Sequence, residues 1–220
     1  MKRQSNQRAQ AMERALQQLR TKVISGNLMP GEQIRQEEMA NELGVSRVPL
    51  REALNVLADQ GFLNHRPHSG YFVAKRAPDE LAQILRMLQL LENELLASLE
   101  WPDENSLRRL KDLNQQMRSV AQAPDWTPLV RLNGEFHFEI YARSRDQLIL
   151  AELKRIWMLA DTFIATAMSD TSARLRTVEE HEHLIASLAK RDHALVLTVM
   201  QAHRASTSSK LSQQLLLRAA

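Results

Sequence analysis

This 220-residue chain holds seven histidines and no cysteine. Without thiolates neither a disulfide framework nor a sulfur-ligated metal can form, so transition-metal ligands must be His, Asp, Glu or Asn. His137 follows Asn133 by four residues, which sets both side chains on one face of a helix. His181 and His203 each lie eleven residues from a break signal at Asp192. At ~1.5 Å rise per residue each stands ~16 Å from that turn, so an antiparallel hairpin brings the two level. Three imidazoles and an amide oxygen, Asn133, His137, His181 and His203, then suit a borderline divalent metal with positions left open. Zn²⁺ is the first expectation, with Ni²⁺ or another divalent ion as alternatives.

A second constellation lies near the other end. Arg47 and Arg51, four apart, project from one helix face, and Ser46 stands where it can cap that helix and donate to a phosphate. Guanidinium forks fit phosphate oxygens or the O6 and N7 edge of guanine. The competing use of these arginines is in surface ion pairs, for instance with Glu52 or Glu42. Charge is unevenly spread: residues 1–76 carry twelve Lys and Arg against seven Asp and Glu, and the remainder seventeen against nineteen. A basic first third joined to a slightly acidic remainder is the balance expected of a nucleic-acid module fused to another domain.

The elements that must position these groups are legible in the apolar spacing. Ala11, Ala15, Leu19 and Val23 repeat every four residues up to Gly26, predicting a helix over about 9–25. A short helix over 36–43 and a third from Ser46 to about Gln60, separated by Gly44 and Val45, form a helix-turn-helix. Phe62-Leu63 and Tyr71-Phe72-Val73 flank a turn and predict two short strands, a wing after a recognition helix. From Asp79 onward no strand pattern recurs. Breaks at Trp101-Pro102, Pro124 to Pro128, Ser144-Arg145, Ser169-Asp170 and Arg191-Asp192 predict six helices. Their spans are about 79–99, 103–121, 127–143, 146–168, 172–190 and 193–215. Short connections favour an antiparallel bundle. The expected fold is mainly α: a winged helix-turn-helix over 1–76 and an all-α bundle over 77–220.

Pro30-Gly31, the run Gly44 to Leu54, Leu57, Gly61-Phe62-Leu63 and Gly70-Tyr71-Phe72-Val73 together resemble the winged-helix signature of the GntR family of bacterial regulators. The resemblance implies that Arg47 and Arg51 contact an operator, that Pro49 shapes the first turn, and that His65, Arg66 and Gly70 place the wing at the DNA backbone or minor groove. Phe136-His137, Glu180-His181, Leu184, Leu188, Asp192, Ala194, Met200 and His203 resemble the FCD ligand-binding domain of the FadR and VanR branch, and six helices favour the VanR-like form. Metal-binding members of that family place an Asp where this chain has Asn133, and often an Arg where it has Leu88. The resemblance further implies a small organic acid as effector and a homodimer that pairs two heads on a pseudo-palindromic operator.

The expected function is thus a DNA-binding transcription regulator, a repressor in the leading form, and not an enzyme. With a polar, basic first ten residues and no run of eighteen apolar residues, a cytoplasmic protein without membrane association is expected. Two rivals use the same residues. A metal-dependent hydrolase needs a general base beside the ion, and Glu135 and Glu180 neighbour the ligands in sequence, although adjacent helical residues point apart. A non-specific nucleic-acid binding protein would use the basic third alone. Trp101, Trp126 and Trp157 are expected to serve packing, and His183 and His193 to be exposed.

Overall fold

In the computed structural model the four-residue repeat of Ala15, Leu19 and Val23 becomes the buried stripe of α1 (Lys2–Ile24). The structure describes residues 2–219, and the side chains of all of these but 2–5, 78, 162 and 208–219. The helix starts earlier than its apolar repeat because residues 2–10 hold neither Gly nor Pro and are rich in Gln and Arg, good helix formers. It ends at Gly26, whose φ of +77° lets the Leu28 amide turn back to the Lys22 carbonyl.

The chain divides between Ala77 and Pro78 into two units. In the first, α2 (Gln36–Leu43) stops at a left-handed Gly44, and α3 (Arg47–Asp59) follows after two residues. Buried Pro49, Leu50, Ala53, Leu54 and Leu57 seat α3 against α1. Three strands, β1 (Gln33–Ile34), β2 (Leu63–Arg66) and β3 (Gly70–Val73), form an antiparallel sheet in the order β1-β3-β2, with Leu63 opposite Val73 and Arg66 opposite Gly70. β1 was not expected; two residues are too few to show an alternating pattern.

The second unit is helical throughout: α4 (Pro78–Ala97), α5 (Glu104–Val120), α6 (Thr127–Tyr141), α7 (Gln147–Ala167), α8 (Thr171–Ala189) and α9 (His193–Ala219). The breaks carry helix-starting chemistry. Asp103 accepts from the Ser106 amide at 2.8 Å, Asp170 from Ser172 at 3.1 Å and Asp192 from Leu195 at 3.1 Å. α4 lies on α7 and α9, α5 on α6 and α8, and α8 on α9. The core of this unit is built on fully buried Leu95, Leu96, Leu110, Met117, Phe136 and Tyr141. Among the described residues no helix is long and apolar enough to cross a membrane.

Candidate functional site

On the winged unit, one face of α3 is left to solvent. Arg47, Val48 and Arg51 are exposed there while Pro49 and Leu50 are buried beneath them. Ser46 takes the extended backbone of an N-cap, but its side chain makes no capping hydrogen bond. The sequence expectation of a side-chain cap is not met: Pro49, the third helical residue, has no N–H to offer, and the hydroxyl does not accept from the second, Val48. The hydroxyl is exposed, and its O–H can donate to an acceptor such as a phosphate oxygen. Arg47 is paired with Glu37 rather than with Glu42 or Glu52, and both side chains are 75% exposed. An ion pair so solvated is worth little and is readily exchanged for a phosphate. Glu42 and Glu52 are engaged by Lys22 and Arg8.

The wing is held by its own aromatic residues. The Arg66 guanidinium lies 4.4 Å from the Phe72 ring centre and the His65 ring 4.7 Å from Tyr71. The Tyr71 hydroxyl bonds Asn55 of α3, tying wing to helix. Gly70 has φ of +89°, so the turn between β2 and β3 requires its missing side chain.

In the helical unit, α6, α8 and α9 bring His137, His181 and His203 together, all buried, with candidate ligand atoms within 4.8 Å of one another. Ring centres are 5.0–5.1 Å apart. The Nε2 atoms of His137 and His203 are 3.2 Å apart. Two imidazoles bound at ~2.0–2.1 Å to one tetrahedral ion have nitrogens ~3.3 Å apart. Asn133, one turn before His137, is buried with its Oδ1 unpartnered, and so are both ring nitrogens of His181 among the described residues. Unpartnered buried acceptors cost about 1–3 kcal/mol each. Three imidazoles and an amide oxygen gathered in this way are a donor set that a divalent ion fits. Burial, and then the charge of His203, hold His137 and His181 well below the ordinary imidazole range. Both are therefore neutral, the form a metal ligand requires.

Beside the imidazoles lies a cavity of about 570 Å³, lined by Asn133, His137 and His203 together with Leu88, Trp157, Met200, Glu92 and Arg204 among others. His181 is not part of the lining; it lies behind, stacked on Phe136 with ring centres 3.9 Å apart. Glu92 of α4 is buried, and burial pushes its carboxyl up against the opposing charge of Arg204. Arg204 donates to Glu92 Oε2 at 2.8 Å and to Asn93 Oδ1 at 2.7 Å.

Three participants were missed from sequence. Trp157, expected to serve packing alone, is also cavity wall, its ring centre 5.2 Å from His137. Arg204 follows His203 directly in sequence, and that adjacency to a candidate ligand is its only local signal. Glu180, set aside because it neighbours His181 on one helix, reaches across to α9, where its Oε2 lies 2.7 Å from His203 Nδ1. The hairpin count would have found it: Glu180 and His203 lie twelve and eleven residues from Asp192. His183 is exposed as expected, and exposed His193 lies against Trp101 with ring centres 4.2 Å apart.

A winged helix with an exposed arginine face, joined to a helical domain with a histidine-lined cavity, defines a DNA-binding regulator with a ligand-binding domain. Residues 11–73 match the bacterial regulatory proteins of the gntR family and residues 78–206 the FCD domain, and the chain belongs to the GntR family in its FCD-bearing form. It is similar to the Nta operon transcriptional regulator of Aminobacter aminovorans, 28% identical over 82% of this chain and 86% of that protein. It is 38% identical to an HTH-type transcriptional regulator in an unstable DNA locus of Streptomyces ambofaciens, over 84% of this chain and 78% of that one. Its fold is that of E. coli McbR/YncC, with a TM-score of 0.75 at 19% identity, covering 93% and 98% of the two chains. The family and these relatives are regulators of transcription, not enzymes. A hydrolytic role is further disfavoured because Glu180 is engaged by His203.

Proposed function

We propose that this protein is a cytoplasmic, homodimeric transcription repressor whose operator affinity is set by a divalent ion and a small organic acid held in its helical domain. Ser46, Arg47 and Arg51 make the groove and phosphate contacts, Pro49 shapes the first turn of α3, and His65, Arg66 and Gly70 place the wing. A twofold pair of such heads reads a pseudo-palindromic site with half-sites about one helical turn apart. Asn133, His137, His181 and His203 hold the ion, Zn²⁺ in the first instance. When bound, the ion would supply Lewis acidity for a carboxylate oxygen.

The observation that carries this proposal is the cluster of three buried imidazoles, two of which, His137 and His203, line a cavity large enough for a ligand. α4, which contributes Leu88 and Glu92 to the cavity, begins at Pro78, directly after the winged unit. A ligand that presses on α4 therefore acts on the helix that leads to the DNA-binding head, and any change in operator affinity must be matched by an equal change in ligand affinity.

The test is selection of duplex DNA by the purified full chain, followed by footprinting of the selected sequence. Two protected half-sites about 10 bp apart, centre to centre, are expected. Binding set by salt alone, with no preferred sequence, would contradict the proposal.

A further inference from the structure

Leu88 and Glu92 stand one turn apart on α4 and face the same cavity. Where the family resemblance leads one to expect a cation, Leu88 offers methyl groups, and the carboxylate of Glu92 follows. Arg204, beside His203, is the buried side's guanidinium, and it is already matched by Glu92 at 2.8 Å. Arg86, the other cationic lining residue, is exposed. The imidazole end thus has one neutralised cation and whatever ion the histidines hold. Two of the five N–H donors of Arg204 are committed to Glu92 and Asn93, which leaves donors for a single further carboxylate.

Away from that end the wall is apolar. Leu85, Leu88, Trp157, Ile164, Met168 and Met200 make up most of it, interrupted by Gln89 and Thr207, and the cavity of about 570 Å³ falls in the range of sites that enclose drug-sized ligands. A three-carbon acid would reach the polar end and leave this wall unfilled. A second carboxylate on a larger ligand would meet these side chains or the like charge of Glu92, both unfavourable, or the exposed Arg86, where solvent weakens the pairing.

We propose that the cavity selects a monocarboxylate with a bulky apolar body, and discriminates against dicarboxylates, tricarboxylates and short hydroxy acids; this rests on the metal and effector proposal above. The carboxylate lies among Asn133, His137, His203 and Arg204, and the body lies against Leu88, Trp157 and Met200.

The test uses the full chain and two titrations. Zinc uptake by chelator-stripped protein is measured first by calorimetry. Octanoate, 3-phenylpropanoate, succinate, citrate and lactate are then titrated into the zinc-treated protein. The two apolar monocarboxylates are expected to bind at least ~10-fold tighter than the other three, because burying a few methylenes is sufficient for that ratio. Leu88→Arg is expected to narrow or reverse the order between succinate and octanoate. Zinc uptake with succinate, citrate or lactate preferred, or with none of the five bound, overturns the ligand class and leaves the metal proposal standing. Absence of zinc uptake with the apolar monocarboxylates still preferred overturns the metal proposal and supports the class.

Discussion

Glu180 of α8 and His203 of α9 meet across the last helical hairpin, with Oε2 2.7 Å from Nδ1. The carboxylate accepts the Nδ1 proton, which leaves Nε2 of His203 facing Nε2 of His137. Carboxylates in this position raise ligand basicity and fix ring orientation. Glu180→Gln is accordingly expected to weaken zinc binding by about 10- to 100-fold. Competition against a chromogenic chelator measures it, and an unchanged affinity in a folded variant would contradict the role.

Stability of the metal-free protein should depend on pH through His137 and His181, whose folded forms are neutral and resist protonation. In the unfolded chain both imidazoles titrate near about 6.5, so below that pH the unfolded state binds more protons than the native state. The stabilisation is present above about pH 6.5 and declines as the pH falls toward the lower folded values. Calorimetric melting in chelator should show Tm falling between roughly pH 6.5 and 5. The slope should be shallower in His181→Gln. A Tm with the same pH slope in both proteins would count against buried neutral histidines.

Arg174 is buried and gathers backbone carbonyls. Its Nε donates to Ala121 at 2.5 Å, and its terminal nitrogens donate to Met168 at 2.9 Å, Ser169 at 3.0 Å and Ala123 at 3.3 Å. One guanidinium thus satisfies the chain just beyond the ends of α5 and α7, where four orphan carbonyls per helix favour a cation. Removing it leaves buried acceptors empty. Arg174→Ala should cost about 3 kcal/mol in urea unfolding, and Arg174→Lys nearly as much, because an ammonium cannot span the same acceptors. A loss under ~1 kcal/mol would show that water replaces the side chain at little cost.

Arg47→Ala and Arg51→Ala should each weaken specific operator binding by ~1 to 3 kcal/mol, with the helical domain unaffected. If the lost contact is to phosphate, the slope of log affinity against log salt should fall by about 0.9 for each arginine, and if it is to a base the slope should hold while discrimination at one position relaxes. Fluorescence anisotropy across a salt series separates the two. Wild-type affinity in both variants would remove α3 from the DNA interface.

Much of the fold was written in local pattern. The stripe of Ala15, Leu19 and Val23, the left-handed Gly44 and the Asp103, Asp170 and Asp192 caps are local signals, and each lies at the place the sequence indicated. The histidine cluster was legible because hairpin counting converts sequence distance into height along two antiparallel helices. What stayed hidden depends on partners distant in sequence. Arg204 meets Glu92 across 112 residues, and no periodicity on α9 points to α4. Ser46 has the residue type and the extended backbone of an N-cap, yet its side chain makes no capping hydrogen bond.

Asn133, His137, His181 and His203 are proposed to hold one divalent ion together. Calorimetric titration of zinc into the chelator-stripped full chain tests it most directly. Uptake of about one ion per chain is expected, with loss of most of that uptake in His203→Ala and tighter binding in Asn133→Asp, because a carboxylate adds charge to the ion's ligands. Added zinc should also raise the Tm of the wild type and leave that of His203→Ala in place. No uptake by the wild type, or uptake that His203→Ala leaves intact, would contradict it.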